Sequence, residues 1–505
     1  MRRFVSRIFA DPCGGPPQSR VGVLAPAFIT SIVAATGSLS ADPTRSAPPA
    51  PARDQAAVTS RPASPESTTP DIDWYQPSRA VGASRAPEPP AYVRPLSAER
   101  LGLDQGLDWL LFGVEQRTRY ELRRNNYREG LADSELFLTR SRVYLGVEEV
   151  VDPLRLGVEF QDSRQFGGDL PQNNNRVDEA DLLQGFVEFF VKDLLGEGRP
   201  LRLQAGRLSD DYVDRRMRTR NGFRNTTNAF DGLRLQLGER SSDWEIDVFA
   251  SRPVERRPVK PDRPEEDRLF YGVAGAWRRW REVVFIEPYY FALDRRARGY
   301  RAQNSETHSF GLHLYGPVGK TPLDYDLDTA IQYGRDAGLS HRAFATHVEL
   351  GYTLDHRWKP RLAAWVNYAS GDRDPQDRVL HRFVPPFGNS HSMYGYTDFF
   401  TWRNLVNPAI EIRLEPDRNT LLAAIYRGYW LASRRDEWER GGRVDPTGKS
   451  GRFIGHEIDL FLRRRLTSHL MVEIGYAHFF PGAFTRNTGE SPDADLFYVH
   501  TFLEF

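Results

Sequence analysis

The chain has a single cysteine, Cys13, among its 505 residues. One thiol excludes a disulfide scaffold and any cysteine-based zinc centre. Lysine is nearly as scarce: only five are present, so almost all of the 68 positive charges are arginine, and 68 acidic residues balance them. A formal charge of zero removes the basic excess a nucleic-acid binder needs, and no such partner is expected. Mean hydropathy is −0.56 and no run of eighteen apolar residues occurs, which excludes a helical membrane protein. Motifs of chemistry are equally thin. His456-Glu457 has no second histidine at metalloprotease spacing, and no glycine-rich phosphate loop lies between a strand and a helix. Neither a cofactor nor a metal is expected, and the chain is not read as an enzyme. The one hydrolase-like grouping is His381, His391 and Asp398, all within one long loop.

Three regions differ in composition. Residues 1–40 hold Arg2, Arg3, Arg7 and Arg20 ahead of the apolar stretch Val21–Val33, followed by Ser38-Leu39-Ser40. That layout predicts a secretory signal peptide cleaved between about residues 37 and 41. Its removal takes Cys13 with it, which suits an oxidising compartment. Residues 41–104 are rich in proline, alanine and serine, lack any apolar periodicity, and are expected to form a disordered arm.

From residue 105 to residue 505 the pattern is uniform: segments of about ten residues alternate apolar and polar side chains between Gly, Pro, Asn and Asp clusters. Ser141, Val143, Leu145 and Val147 share one face, and Arg140, Arg142, Tyr144 and Glu148 the other. Leu154, Leu156, Val158 and Phe160 alternate with Arg155, Gly157, Glu159 and Gln161. Eighteen such segments can be counted. Short connections (239–242, 278–281, 416–419, 465–468) contrast with long ones (209–227, 252–266, 371–403, 434–451). A soluble sandwich would concentrate its apolar residues in fewer, denser strands. An all-β transmembrane antiparallel barrel instead turns its apolar face to lipid and its charged face to a wet lumen. The last strand ends on Phe505, in phase with Phe497, Val499, Thr501 and Leu503. A terminal aromatic of this kind is the signal read by the barrel-assembly machinery, so that machinery and outer-membrane lipid are expected partners.

Several ordered stretches resemble the alginate export porin family: Gln161-Asp162-Ser163-Arg164, Leu203 to Gly206-Arg207, Phe230-Asp231-Gly232 and Ala369-Ser370-Gly371-Asp372. The most specific pair is Gly455-His456-Glu457 with Asp459, then Gly475 to Pro481-Gly482. The resemblance spans residues 105–505. It implies an eighteen-stranded barrel in the bacterial outer membrane whose narrow, arginine-rich lumen passes a polyuronate outward, with periplasmic secretion partners.

Strand parity places Arg140, Arg142, Arg155, Arg202, Arg234 and Arg413 in the lumen, together with Glu148, Glu159, Glu188, Glu411, Glu457 and Asp459. Guanidinium groups favour carboxylates through their planar fork and permanent charge. These residues are the candidate path for an anionic, alginate-like polysaccharide; the alternative is uptake of small acidic solutes such as sugar acids. Cross-strand pairing that merely stiffens the wall competes with both.

Overall fold

The computed structural model describes residues 85–96, 107–168, 170–297 and 303–505; the expected signal peptide and most of the expected arm lie outside the described residues. Eighteen long strands form one sheet. In chain order they are β1 (Leu107–Asn126), β2 (Ala132–Val151), β3 (Leu154–Phe166), β4 (Asp178–Val191), β5 (Leu201–Leu208) and β6 (Phe230–Leu237). There follow β7 (Trp244–Glu255), β8 (Arg268–Trp277), β9 (Phe285–Arg295), β10 (Ser305–Pro317), β11 (Leu323–Asp336) and β12 (Leu339–Thr353). The last six are β13 (Arg361–Ala369), β14 (Leu405–Asp417), β15 (Thr420–Trp430), β16 (Phe453–Arg465), β17 (Leu470–Pro481) and β18 (Ala494–Glu504). Each strand is antiparallel to its neighbours. β1 also pairs with β18, from Glu115 opposite Glu504 to Arg124 opposite Asp495, so the sheet closes on itself. Closure removes both edges, the only way a sheet can satisfy its backbone in lipid.

All eighteen strands expected from the alternation are present. Boundaries moved where a turn intervened. The strand expected from residue 281 begins at Phe285, because the amides of Val283 and Val284 donate to the Trp280 carbonyl and hold a turn there.

The longest connections all leave one end, which also carries the short turns 127–131 and 337–338. Residues 167–177, 209–229, 256–267, 370–404, 431–452 and 482–493 crown that end, whereas 152–153, 238–243, 318–322, 418–419 and 466–469 close the other. With an even strand count, β1 starts and β18 stops at the short-turn end. The outer surface is apolar: Val143, Leu156, Phe160, Leu233, Val348, Ile410 and Leu460 are all exposed. Two aromatic rings flank it. Phe137, Phe166, Phe310, Tyr333 and Tyr426 lie toward the loop end, and Trp109, Trp280, Tyr352 and Trp358 toward the turn end. An apolar band between aromatic girdles matches a bilayer and its two interfaces.

The inside departs from the expectation of a wet, charged lumen. Phe249, Phe270 and Phe291 point inward from β7, β8 and β9 and pack with Phe230 and Tyr212. The connections 209–229 and 370–404 fold into the barrel, leaving Ser209–Arg220 and Asn389–Phe400 buried. Residues 85–96 also lie inside, although they belong to the stretch expected to be disordered. Arg94–Leu96 pairs with the start of β1, and Gly113 allows the approach, since a Cβ there would lie 2.7 Å from the Tyr92 carbonyl oxygen.

Candidate solute path through the lumen

The inward faces of the strands carry the charged residues, and the two folded-in connections are fastened to them. Arg117, on β1, donates to the carbonyls of Gly222 (2.9 Å), Phe223 (3.0 Å) and Arg224 (3.0 Å) and to Oδ1 of Asn225 (2.9 Å). On the other side, Arg427 of β15 donates to the carbonyls of Met393 (3.1 Å) and Ser392 (2.7 Å) while pairing with Asp459 at 2.8 Å. The two connections then meet in mid-lumen: the Thr219 amide donates to the Phe387 carbonyl (3.1 Å), and the Phe387 amide to that of Met217 (3.0 Å). Beside this contact, Arg218 is held bidentately by Asp210 (2.7 and 3.0 Å) and sits over the rings of Phe230 and Phe249 at 4.0 and 4.2 Å.

Each residue placed in the lumen by parity is on the inward side, and the structure sorts them into three groups and one separate pair. Arg140, Arg142 and Glu159 hold the 209–229 connection. Arg140 binds Glu115 at 2.8 Å and reaches the Gly222 carbonyl at 3.2 Å. Arg142 donates to Gln161 (3.0 Å) and to the Thr227 hydroxyl, and Glu159 accepts from Arg220 at 3.2 Å. Glu457 and Asp459 hold the 370–404 connection, through the Thr397 hydroxyl at 2.6 Å and through Arg427. Arg155, Arg202, Arg234, Glu148 and Glu188 surround one small cavity of about 50 Å³ at the turn end, together with Arg220, Glu88, Pro89 and Pro90. Arg413 stands apart, paired with Glu411 at 3.0 Å on the far wall.

A second cavity, of about 160 Å³, opens toward the loop end. Its lining has six arginines (Arg119, Arg123, Arg128, Arg176, Arg224, Arg440) against Glu121, Glu129 and Asp398, with Asn126, Asn173, Asn175, Asn221 and Phe223 between them. Burial, then the neighbouring Arg256, Arg440 and Arg128, holds the Arg224 guanidinium below its ordinary value. Guanidinium keeps its charge even so. Asp398 is held well below the usual carboxylate range: burial opposes this, but His391, Arg128 and Arg123 outweigh it. His391 bonds Asp398 at 3.2 Å and stacks on Phe223 with ring centres 3.3 Å apart, whereas His381 is near Asp372, so the three loop residues do not converge.

Sequence reasoning passed over the residues that fill the barrel. Arg117, Arg119 and Arg427 obey the same parity as the residues chosen. The signal for the connection was composition: residues 215–224 contain five arginines, dense for a loop meant to lie in solvent.

A closed eighteen-stranded barrel with an apolar outer band and a charged, loop-constricted interior is the architecture of an outer-membrane channel. Its location is the bacterial outer membrane. The Alginate export family model matches residues 108–499, and the chain belongs to that family. Among solved structures it is similar to OccK11 (OpdR) of Pseudomonas aeruginosa, with 14% identity, a TM-score of 0.52 and coverage of 78% of this chain and 96% of that one. OccAB1 of Acinetobacter baumannii is also similar, at 11% identity and TM-score 0.54, over 78% and 96% of the two chains. OprD of Pseudomonas aeruginosa matches at 11% identity and TM-score 0.51, over 78% and 94%. At such identities the likeness is one of fold. No curated protein matches the chain.

Proposed function

We propose that this channel admits small carboxylate-bearing solutes, sugar acids in particular, and conducts them inward one at a time. The observation that carries the reading is the division of the arginine-lined space into separate cavities. The outer one, at about 160 Å³, has space for roughly ten to fifteen waters at ~10–15 Å³ each. A hexuronic acid has about thirteen non-hydrogen atoms and fits that count. Its carboxylate suits the excess of guanidinium, its hydroxyls suit the four asparagines, and the neighbouring acids keep binding weak enough for release.

Export of an alginate-like polyuronate is the second reading, and family membership favours it. A polymer needs a continuous path, so the 209–229 and 370–404 connections would have to leave the lumen together. Planar-bilayer recordings with D-glucuronate and with uronate oligomers of increasing length separate the two. Block that is strongest for monomer and dimer supports small-solute uptake. Block that strengthens steadily with chain length overturns it in favour of export.

A further inference from the structure

Residues 85–96 enter the barrel at the turn end and cross it. Arg94–Leu96 runs beside β1, the Tyr92 hydroxyl donates to Glu159 of β3, and the Ala86 amide donates to Asp211 at 2.9 Å. Between these anchors the Glu88 carboxylate accepts a hydrogen bond from Nη1 of Arg234 on β6. The pocket receiving it has donors to spare. Among the described residues, the buried Arg202 Nε has no hydrogen-bond partner. Arg155 lies over the Phe190 ring at 3.5 Å, with its nearest carboxylates 3.6 and 3.8 Å away.

Each guanidinium of the pocket also has a carboxylate on the wall or its turns: Arg155 has Glu188 (3.6 Å), Arg202 has Glu239 (3.3 Å), Arg220 has Glu159 (3.2 Å) and Arg234 has Asp247. Departure of Glu88 therefore frees Nη1 of Arg234 for another carboxylate without unpairing the wall. The wall does not depend on Glu88, because Arg234 is also held bidentately by Asp247 (2.8 and 2.6 Å). The Glu88 side chain is 29% exposed, so it can leave into water. Although burial acts against it, Arg234, then Arg85 and Arg202, hold its carboxyl below the ordinary range, so it stays an anion.

We infer that Arg155, Arg202 and Arg234 form a carboxylate-binding site at the turn-end mouth, and that Glu88 is its tethered occupant, competing with the solute. This rests on the acidic-solute reading above. A tether of this kind presents its group at an effective concentration in the millimolar range. Occupancy near nine-tenths would lower the apparent affinity for a free acid roughly tenfold.

The test uses the full chain in planar bilayers at low salt, with D-glucuronate added at the turn end and D-glucose as the neutral control. Glu88→Gln is expected to bind glucuronate roughly tenfold more tightly than the parent. A variant lacking residues 85–93 should do the same, and a synthetic peptide of those residues should block it. Equal glucuronate affinity in the parent and in correctly folded Glu88→Gln overturns the inference, as does a peptide that blocks equally well with Gln in place of Glu88. If no form of the channel binds glucuronate yet only the Glu88 peptide blocks, the tethered occupant stands and the acidic-solute reading falls.

Discussion

Arg117 on β1 and Asn225 in the β5–β6 connection, 108 residues apart in sequence, are joined inside the barrel by a 2.9 Å hydrogen bond. The same guanidinium satisfies three backbone carbonyls, so one side chain fixes residues 222–225. Charge-assisted hydrogen bonds contribute about 1.5–3 kcal/mol each. Arg117→Ala should therefore free this part of the connection. Higher and noisier single-channel current is expected, with faster tryptic cleavage after Arg224. A variant with parental conductance and protease resistance would show that the connection is held elsewhere.

Arg140 and Arg142 stand side by side on β2 and share Glu115, at 2.8 and 3.5 Å. Replacing both with glutamate removes two positive charges and adds two negative ones beside Glu115 and Glu159. Reversal potential should move toward cations and block by acidic sugars should weaken. Raising salt to 1 M, where the screening length is about 3 Å, should shrink the change. An unaltered anion preference at low salt would assign both residues to holding the connection alone.

Phe505 exchanges backbone hydrogen bonds with Val114 of β1, at 3.0 and 2.9 Å, and its ring is on the outside, stacked on His469. Deleting it shortens the seam that closes the barrel and removes the terminal aromatic. The yield of heat-modifiable, folded protein should fall, while channels that do assemble conduct normally. Undiminished yield would refute the role given to this residue.

Val348, midway along β12, is half exposed on the outer face, opposite Leu327 and Val366. An arginine near the bilayer midplane costs about 2–4 kcal/mol. Val348→Arg should lose about that much stability in urea titrations on liposomes. A loss below ~1 kcal/mol would place this position at an interface.

Asp262, in the 256–267 connection, has its carboxyl pushed up to about 6, by burial first and by Asp181, despite the Arg257 amide and the guanidiniums of Arg207 and Arg256. Once the loop is detached the group returns to about 3.9. The attached state thus binds the proton more tightly. Attachment is strongest below the detached value and weakens as pH rises through about 6. Amide exchange in this loop, corrected for intrinsic rates, should be slower at pH 5 than at pH 8, and Asp262→Asn should reduce the difference. Equal protection at both pH values in the parent would contradict it.

The strands were legible because their code is local. A side chain every second residue faces lipid or lumen, so Val143 and Leu145 against Arg140 and Arg142 reveal both the strand and its orientation. Repeated eighteen times, that alternation determined the barrel and its inward charges. What occupies the barrel was decided only by the tertiary structure. Phe249 and Phe270 break the polar inner face because the 209–229 connection lands on them, and nothing near either residue in sequence announces that landing. Glu88 finds Arg234 across 146 residues, in a segment with no periodicity at all. Period-two patterning records which solvent a strand faces. The partners of a folded-in loop are set by where closure of the sheet brings distant walls together, and that distance exists only once the barrel has closed.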